Sequence, residues 1–253
     1  MTLIEIDRQH RAGRERLAPR AIATQAVVIT SAFLAYLAVR WVANGSEEAA
    51  FRHAARLLDI EAALGIDVEK QVQGAVLHLP GVIDFFNFVY AWTYWPYIIS
   101  TFVIAWFWRR SVFTLYRNAM LISGTVGLVV FSLLPVAPPR FLPGFIDTVG
   151  QSGGSAFVGQ PDGFINEFAA LPSFHVGWVA LASAAMMLGT ERWWLRVALL
   201  VPVVLMSVAV VVTANHYILD IIVGIGLSLS SLAVAARLQR RSAARREPIP
   251  CDV

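Results

Sequence analysis

Long apolar runs constrain this chain more than any other feature of its sequence. Hydrophobic residues make up 57% of it, and the mean hydropathy is +0.63. A helix needs roughly 20 apolar residues to cross about 30 Å of hydrocarbon. Six apolar runs approach or exceed this length, at residues 21–43, 82–107, 112–136, 173–189, 194–212 and 217–236. The sequence therefore predicts an all-α polytopic membrane protein with six transmembrane helices.

The basic residues indicate how these helices are oriented. Of the 20 basic residues, 15 lie in the terminal segments or near alternate loops: Arg8, Arg11, Arg14, Arg16, Arg20, Arg109, Arg110, Arg117, Arg192, Arg196, Arg237, Arg240, Arg241, Arg245 and Arg246. Such an excess is typical of the cytoplasmic side. We therefore expect residues 1–20 and 237–253 to be cytoplasmic, and residues 21–236 to form a single domain in a bacterial cell membrane.

The outer segment at residues 45–80, between the first two apolar runs, has helical periodicity. Phe51, Ala54 and Leu58 recur at a spacing that places them on one face, while charged residues occupy other faces. This pattern predicts an amphipathic helix lying at the membrane interface.

Two short polar islands, residues 172–175 and 215–220, each open an apolar run. Ionisable side chains are costly inside a membrane, so histidine and aspartate at these places indicate a functional site. The predicted orientation puts both islands at the extracytoplasmic ends of their helices. The residues expected to converge there are Arg140, Ser173, His175, His216 and Asp220.

These residue types are suited to phosphoryl transfer. His216 and Asp220 are four residues apart, so on a helix the carboxylate can accept from one imidazole nitrogen and leave the other free as a nucleophile. His175 is predicted to be the general acid or base. Arg140 offers a planar fork of donors to phosphate oxygens. The helix N-termini at Ser173 and His216 would add backbone N–H groups and a positive dipole end.

A further polar stripe follows one face of the second apolar run, where Asn87 and Tyr90 are followed by two more tyrosines at helical spacing. These side chains could line the site or could form hydrogen bonds between helices. Asn87 and Tyr90 are candidate substrate-lining residues, and so is Asn215.

At these residues the chain resembles the type 2 phosphatidic acid phosphatase superfamily, whose motifs are Lys-x6-Arg-Pro, Pro-Ser-Gly-His and Ser-Arg-x5-His-x3-Asp. The resemblance covers about residues 90–224. It implies that His216 is the nucleophile of a phosphohistidine intermediate, with Asp220 as its partner and His175 as general acid or base. It also implies phosphate binding by Arg140 and Ser173, with no cofactor and no metal.

The departures from these motifs include Leu133, Phe141, Phe174 and Val210. With these departures it looks like a divergent branch similar to the inositol-phosphorylceramide synthases. The expected substrate is a lipid phosphate or phospholipid. The phosphoenzyme could pass its phosphoryl group to water or to an alcohol such as a polyol, and the sequence leaves both outcomes open.

Two other classes of function use the same residues. His175, His216 and Asp220 could bind zinc or iron in a metal-dependent hydrolase, or they could form a proton relay in a lipid transporter. The basic tail directly follows an apolar run and has no stacking aromatics, so it favours anionic lipid headgroups over nucleic acid. A lipid could enter sideways near three tryptophans, Trp92, Trp95 and Trp178.

Overall fold

The computed structural model describes residues 46–151 and 167–244, together with isolated positions between residues 23 and 34. Most of the predicted first span and the end of the basic tail lie outside the described residues. In the described part the protein is all-α, apart from one isolated bridge between two loops.

Two helices form the outer segment. Helix α1 spans Glu47–Leu64, and helix α2 spans Glu69–Val76. The side chain of Ser46 caps the start of α1 by accepting from the backbone N–H of Ala49 at 3.0 Å. Gly65 ends α1 in the left-handed region, at a φ of 67°, which glycine adopts without steric cost.

Four helical segments are long and apolar enough to cross a membrane: Pro80–Trp108, Arg110–Leu133, Trp193–Val212 and Ile218–Ala244. The first comprises α3 (Pro80–Phe88), a π-helical turn (Val89–Thr93) and α4 (Tyr94–Trp108), and the second is α5. After α5 come a 3-10 turn at Pro139–Phe141 and the short helix α6 (Thr148–Gln151). The third segment contains α8 (Trp193–Ala198) and α9 (Val201–Val212), and the fourth is α10.

These segments agree with four of the predicted runs, with shifted ends. Helix α5 ends at Leu133 and not at residue 136, because a proline disfavours helical geometry in the residue before it and Pro135 follows Leu134. Helix α10 continues to Ala244, beyond the predicted end at residue 236. Its 27 residues span about 40 Å, more than the hydrocarbon thickness.

The remaining predicted run in the described part, at residues 173–189, forms α7, Phe174–Gly189, which has only 16 residues. This length corresponds to about 24 Å. Helix α7 occupies the centre of the bundle, where it contacts α4, α5, α9 and α10. Ser173, directly before α7, is fully buried, so the N-terminal end of α7 lies inside the protein.

Glycines allow α7 and α10 to approach each other closely. A Cβ atom on Gly224 would lie 2.2 Å from the carbonyl oxygen of Ser173, and one on Gly177 would lie 2.6 Å from the carbonyl oxygen of Gly224. Small residues at such crossings are the usual means of close helix packing in membranes. The crossing holds the start of α7 against the start of α10.

The outer segment packs one face on protein, and its position relative to the membrane interface stays a prediction. Ala50, Ala54 and Leu57 of α1 form a buried cluster with Val136, Ala137, Ala170 and Tyr217. The backbone N–H of Ala137 donates to the carbonyl of Ala50 at 3.1 Å. The periodicity identified the apolar face correctly, but that face covers the loops that carry the candidate site.

Candidate active site

His216 lies in the tight turn between α9 and α10. The backbone N–H groups of Asn215 and His216 both donate to the carbonyl of Val210, at 2.9 and 3.1 Å. Ala214 adopts a φ of 52°, a conformation uncommon for residues other than glycine. The turn reverses the chain so that His216 precedes the first turn of α10.

The imidazole of His216 has a defined orientation. Its Nδ1 lies 2.8 Å from the carbonyl oxygen of Ala170 and 3.4 Å from Oδ2 of Asp220. A carbonyl oxygen only accepts, so Nδ1 carries the proton and Nε2 has a free lone pair. Burial lowers the pKa of His216 to about 3, and the charge of Arg140 adds to this effect. The ring is therefore neutral at physiological pH, as a nucleophile must be.

The pairing of His216 with Asp220 is thus only partly as predicted. The shorter contact of Nδ1 is with the Ala170 carbonyl, while Oδ2 of Asp220 accepts from the backbone N–H of Tyr217 at 2.9 Å. Asp220 is fully buried. Tyr217 is the N-cap residue of α10, and Asp220 lies three residues after it. A carboxylate at that position that accepts from the N-cap N–H forms one half of a capping box. Asp220 therefore fixes the turn and also lies beside the imidazole.

His175 lies in the first turn of α7 and faces His216. Its Nδ1 is 3.4 Å from Nε2 of His216. The ring of His175 packs against Tyr90 and Tyr94, with ring centroids 4.4 and 4.7 Å away. Two histidines that are 41 residues apart in sequence are therefore neighbours, with the two tyrosines limiting the rotation of His175.

Arg140 reaches the same turn from the loop after α5. Its backbone N–H donates to the carbonyl of Ala214 at 2.8 Å, and its guanidinium donates to the side-chain oxygen of Asn215. Its Nε is 3.9 Å from a carboxylate oxygen of Asp147. The guanidinium has five N–H donors, so further donors remain for an anion.

Ser173 precedes α7 and is fully buried. Its backbone N–H donates to the carbonyl of Asp220 at 3.0 Å. In the described part of the chain its hydroxyl has no hydrogen-bond partner, and the first turn of α7 has no side-chain cap. A buried hydroxyl beside an uncapped helix N-terminus is favourable for an anion.

The three predicted substrate-lining residues have different surroundings. Tyr90 packs against His175, and Asn215 binds Arg140 while donating to the carbonyl of Thr213 at 3.1 Å. The amide of Asn87 is occupied by Thr148, donating to its carbonyl at 3.1 Å and accepting from its hydroxyl at 2.8 Å. Of the two interpretations of Asn87, this contact favours hydrogen bonding between segments.

The N-terminus of α10 is not open to an anion, contrary to the prediction. The N–H groups of Tyr217, Ile218 and Leu219 each donate to a carboxylate, from Asp220, Glu69 and Glu61 respectively. The sequence contains a signal for Glu61, because it continues the helical spacing of the apolar face that contains Ala54. No comparable signal identifies Glu69.

Phe174, which replaces the glycine of the family motif, is accommodated by a glycine elsewhere. A Cβ on Gly127 of α5 would lie 2.1 Å from the Phe174 ring. The ring also stacks on Trp178 at 4.6 Å between centroids, and the indole N–H of Trp178 donates to Ser123 at 3.1 Å. Trp178 is therefore part of the interior packing, whereas Trp92 and Trp95 are both 54% exposed.

The donor set does not form a metal centre within residues 46–151 and 167–244. No group of three His, Cys, Asp or Glu side chains converges there in a metal-binding arrangement. The Nδ1 of His216 faces a carbonyl, and Oδ2 of Asp220 accepts from a backbone N–H.

The fold and the site together define a helical integral membrane protein with two facing histidines, an adjacent carboxylate and an arginine. The sequence model of the PAP2 superfamily matches residues 55–234. This match covers most of the chain, and the chain belongs to the PAP2 superfamily. Members of this superfamily are phosphatases and phosphotransferases.

Individual proteins show more distant similarity. A phosphoinositol dihydroceramide synthase from Bacteroides thetaiotaomicron is 25% identical over 138 residues, which cover 48% of this chain and 45% of the relative. The match thus includes less than half of that relative's length. The crystal structure of Aquifex aeolicus LpxE matches with a TM-score of 0.51 at 11% identity, covering 68% of this chain and 94% of that one. At this identity the likeness supports the fold alone.

Proposed function

We propose that this protein is a lipid-phosphate phosphatase or phosphotransferase that works through a phosphohistidine at His216. The observation that carries the proposal is the orientation of the two imidazoles. The His216 Nδ1 is held by the Ala170 carbonyl, and its Nε2 faces His175 at 3.4 Å. A nucleophilic nitrogen and an acid–base group are therefore next to each other at the start of α7 and α10.

In the first step, Nε2 of His216 attacks the phosphorus of the substrate, and the bond from phosphorus to the lipid oxygen breaks. The negative phosphate favours the protonated form of the neighbouring His175, which delivers its proton to the leaving oxygen. Asp220 and the Ala170 carbonyl face the Nδ1–H and stabilise the positive charge that the phosphorylated ring gains.

In the second step, His175 takes a proton from water or an alcohol, whose oxygen attacks the phosphohistidine. The bond between phosphorus and Nε2 breaks, and the free imidazole returns. Free donors of Arg140 and the hydroxyl of Ser173 bind the phosphate oxygens in both steps. No bound metal is needed for this sequence of proton transfers.

The partial similarity to a phosphoinositol dihydroceramide synthase favours an alcohol acceptor over water. We place the site at the extracytoplasmic face on the basis of the arginine distribution. The substrate is a lipid phosphate or phospholipid that enters from the membrane beside the exposed Trp92 and Trp95.

The test is turnover of lipid phosphates by purified protein in detergent with excess chelator, with and without a polyol acceptor. We expect activity in wild type and none in His216→Asn. A phosphoryl group that becomes labelled on the protein and is stable to base but labile to acid would identify phosphohistidine. Loss of activity with chelator and recovery with zinc would overturn the proposal in favour of a metal-dependent hydrolase. Lipid movement without turnover would favour a transporter.

A further inference from the structure

Three consecutive backbone N–H groups, from the N-cap residue Tyr217 and the first two residues of α10, are each bound by a different carboxylate. Tyr217 donates to Asp220 at 2.9 Å, Ile218 to Glu69 at 2.9 Å, and Leu219 to Glu61 at 2.7 Å. The first four N–H groups of a helix have no partner within the helix. Here three of these donors are bound by negative or acidic groups, which the helix dipole also favours.

Two of the three carboxylates come from the outer segment, far away in sequence. Glu61 belongs to α1 and Glu69 to α2, and their exposed fractions are 0% and 1%. Burying an ionised carboxylate costs several kcal/mol unless it is compensated. Here the compensation comes from backbone N–H groups of residues between His216 and Asp220.

A third side chain of the outer segment also contacts the region around His216. Gln73, one turn after Glu69, donates to the carbonyls of Ile146 and Val212 at 2.9 and 3.2 Å and accepts from the N–H of Ile146 at 3.0 Å. It thus joins the end of α9 to the loop that carries Asp147. Helices α1 and α2 therefore hold both ends of the turn that contains His216.

We propose that Glu61 and Glu69 are positioning residues that fix the first turn of α10 and so orient His216 and Asp220 for phosphoryl transfer. This inference rests on the proposed function for its chemical consequence. The two carboxylates do not contact the reacting atoms; they act through the backbone of Ile218 and Leu219.

The protonation of Glu61 adds a pH dependence to this role. The groups that face Glu61 are Glu69 from α2 and Asp220 and Tyr217 from the start of α10. Burial, together with the neighbouring carboxylates, raises the pKa of Glu61 to about 8. A protonated Glu61 can accept from Leu219 with one oxygen while avoiding repulsion from Glu69 and Asp220. Ionisation above pH 8 adds a further negative charge and loosens the turn.

Three variants test the role of Glu61. Glu61→Met keeps the volume and removes the acceptor, whereas Glu61→Gln keeps an acceptor and a neutral group. Asp59→Asn is the matched control, because Asp59 is an exposed carboxylate two residues earlier on the same helix. We expect Glu61→Met to lower kcat about 10- to 100-fold with little change in KM, as for a misplaced catalytic group. Glu61→Gln and Asp59→Asn should keep wild-type kcat at pH 7.

The pH profile separates positioning from general support of the fold. Wild type and Asp59→Asn should lose activity as pH rises through about 8, and Glu61→Gln should lose less. This comparison remains decisive if Glu61→Met does not fold. An alkaline decline of the same size in Glu61→Gln and wild type would overturn the proposal.

Hydrogen exchange tests the same inference without substrate. Backbone amides of residues 216–222 should exchange faster in folded Glu61→Met than in wild type, while Asp59→Asn remains unchanged. Equal exchange in folded Glu61→Met would overturn the positioning role. If wild type shows no turnover of any lipid phosphate, the proposed function fails, but the exchange comparison still decides whether Glu61 fixes the turn.

Discussion

In the proposed mechanism Arg140 is the main cation that binds the phosphate, because the motif positions of two other cations hold Leu133 and Val210. Its backbone is anchored to Ala214, and its guanidinium is oriented by Asn215. Lysine would keep the charge and lose the planar fork of donors. We expect Arg140→Lys to lower kcat/KM about 10- to 100-fold, the equivalent of one charge-assisted hydrogen bond.

The matched control for Arg140→Lys is Arg52→Lys on α1, whose side chain is 55% exposed. Steady-state assays with one lipid phosphate should give the control wild-type values. Wild-type kcat/KM in Arg140→Lys would show that the positive charge alone is sufficient and that the planar set of guanidinium donors is not needed.

Phe174 and Gly127 illustrate how a departure from a motif is compensated by a residue on another helix. A side chain at residue 127 must displace the Phe174 ring, since the added Cβ would lie 2.1 Å from it. We expect Gly127→Ala to destabilise the protein by about 1–3 kcal/mol, the usual cost of overpacking. In a Phe174→Ala background the same substitution should be nearly neutral.

Thermal unfolding in detergent of the two single variants and the double variant measures this coupling. Additive effects of Gly127→Ala and Phe174→Ala would show that the two sites are independent. In that case the absence of a side chain at Gly127 would not explain why phenylalanine is tolerated at residue 174.

At the element scale, the crossing of α7 and α10 determines the distance between the two histidines. His175 is in the first turn of α7, and His216 directly precedes α10. A methyl group on Gly224 would meet the backbone of Ser173 at 2.2 Å, and backbone cannot rotate away as a side chain can. We expect Gly224→Ala to cost about 1–3 kcal/mol of stability and to reduce turnover by separating the histidines.

Gly226→Ala is the control for this prediction, because it lies on the same helix and a Cβ there meets nothing within 4 Å. Alanine has a higher helix propensity than glycine, so this variant should be neutral or stabilised by up to about 1 kcal/mol. Comparable stability and turnover in the two variants would show that the crossing tolerates a wider separation.

For the whole molecule, the sequence predicted the helical bundle and the outer helical segment, but not the contacts that the outer segment makes. The length of an apolar run identifies a membrane span, because the thickness of the hydrocarbon sets the length that a spanning helix needs. Histidine and aspartate are easily noticed in apolar sequence. The structure places His175 and His216 next to each other, as expected from their positions at the start of two apolar runs. Glu61 and Glu69 were missed, because glutamate on a short amphipathic helix normally faces water. Periodicity identified the buried face of α1, but it did not reveal that loops near Ala137 and Ala170 cover that face.

The orientation of the whole molecule stays a prediction, and the chain's single cysteine offers a direct test. Cys251 lies in the basic tail, outside the described residues, and the arginine distribution places this tail in the cytoplasm. We expect a membrane-impermeant thiol reagent to label Cys251 only after cells are permeabilised. In a Cys251→Ser background, Asp59→Cys on the exposed side of α1 should be labelled in intact cells. The reverse pattern would put the tail outside and α1 in the cytoplasm, so that the site would open to cytoplasmic phosphate esters. Labelling of neither position before permeabilisation would contradict an extracytoplasmic outer segment and leave the bundle itself unchanged.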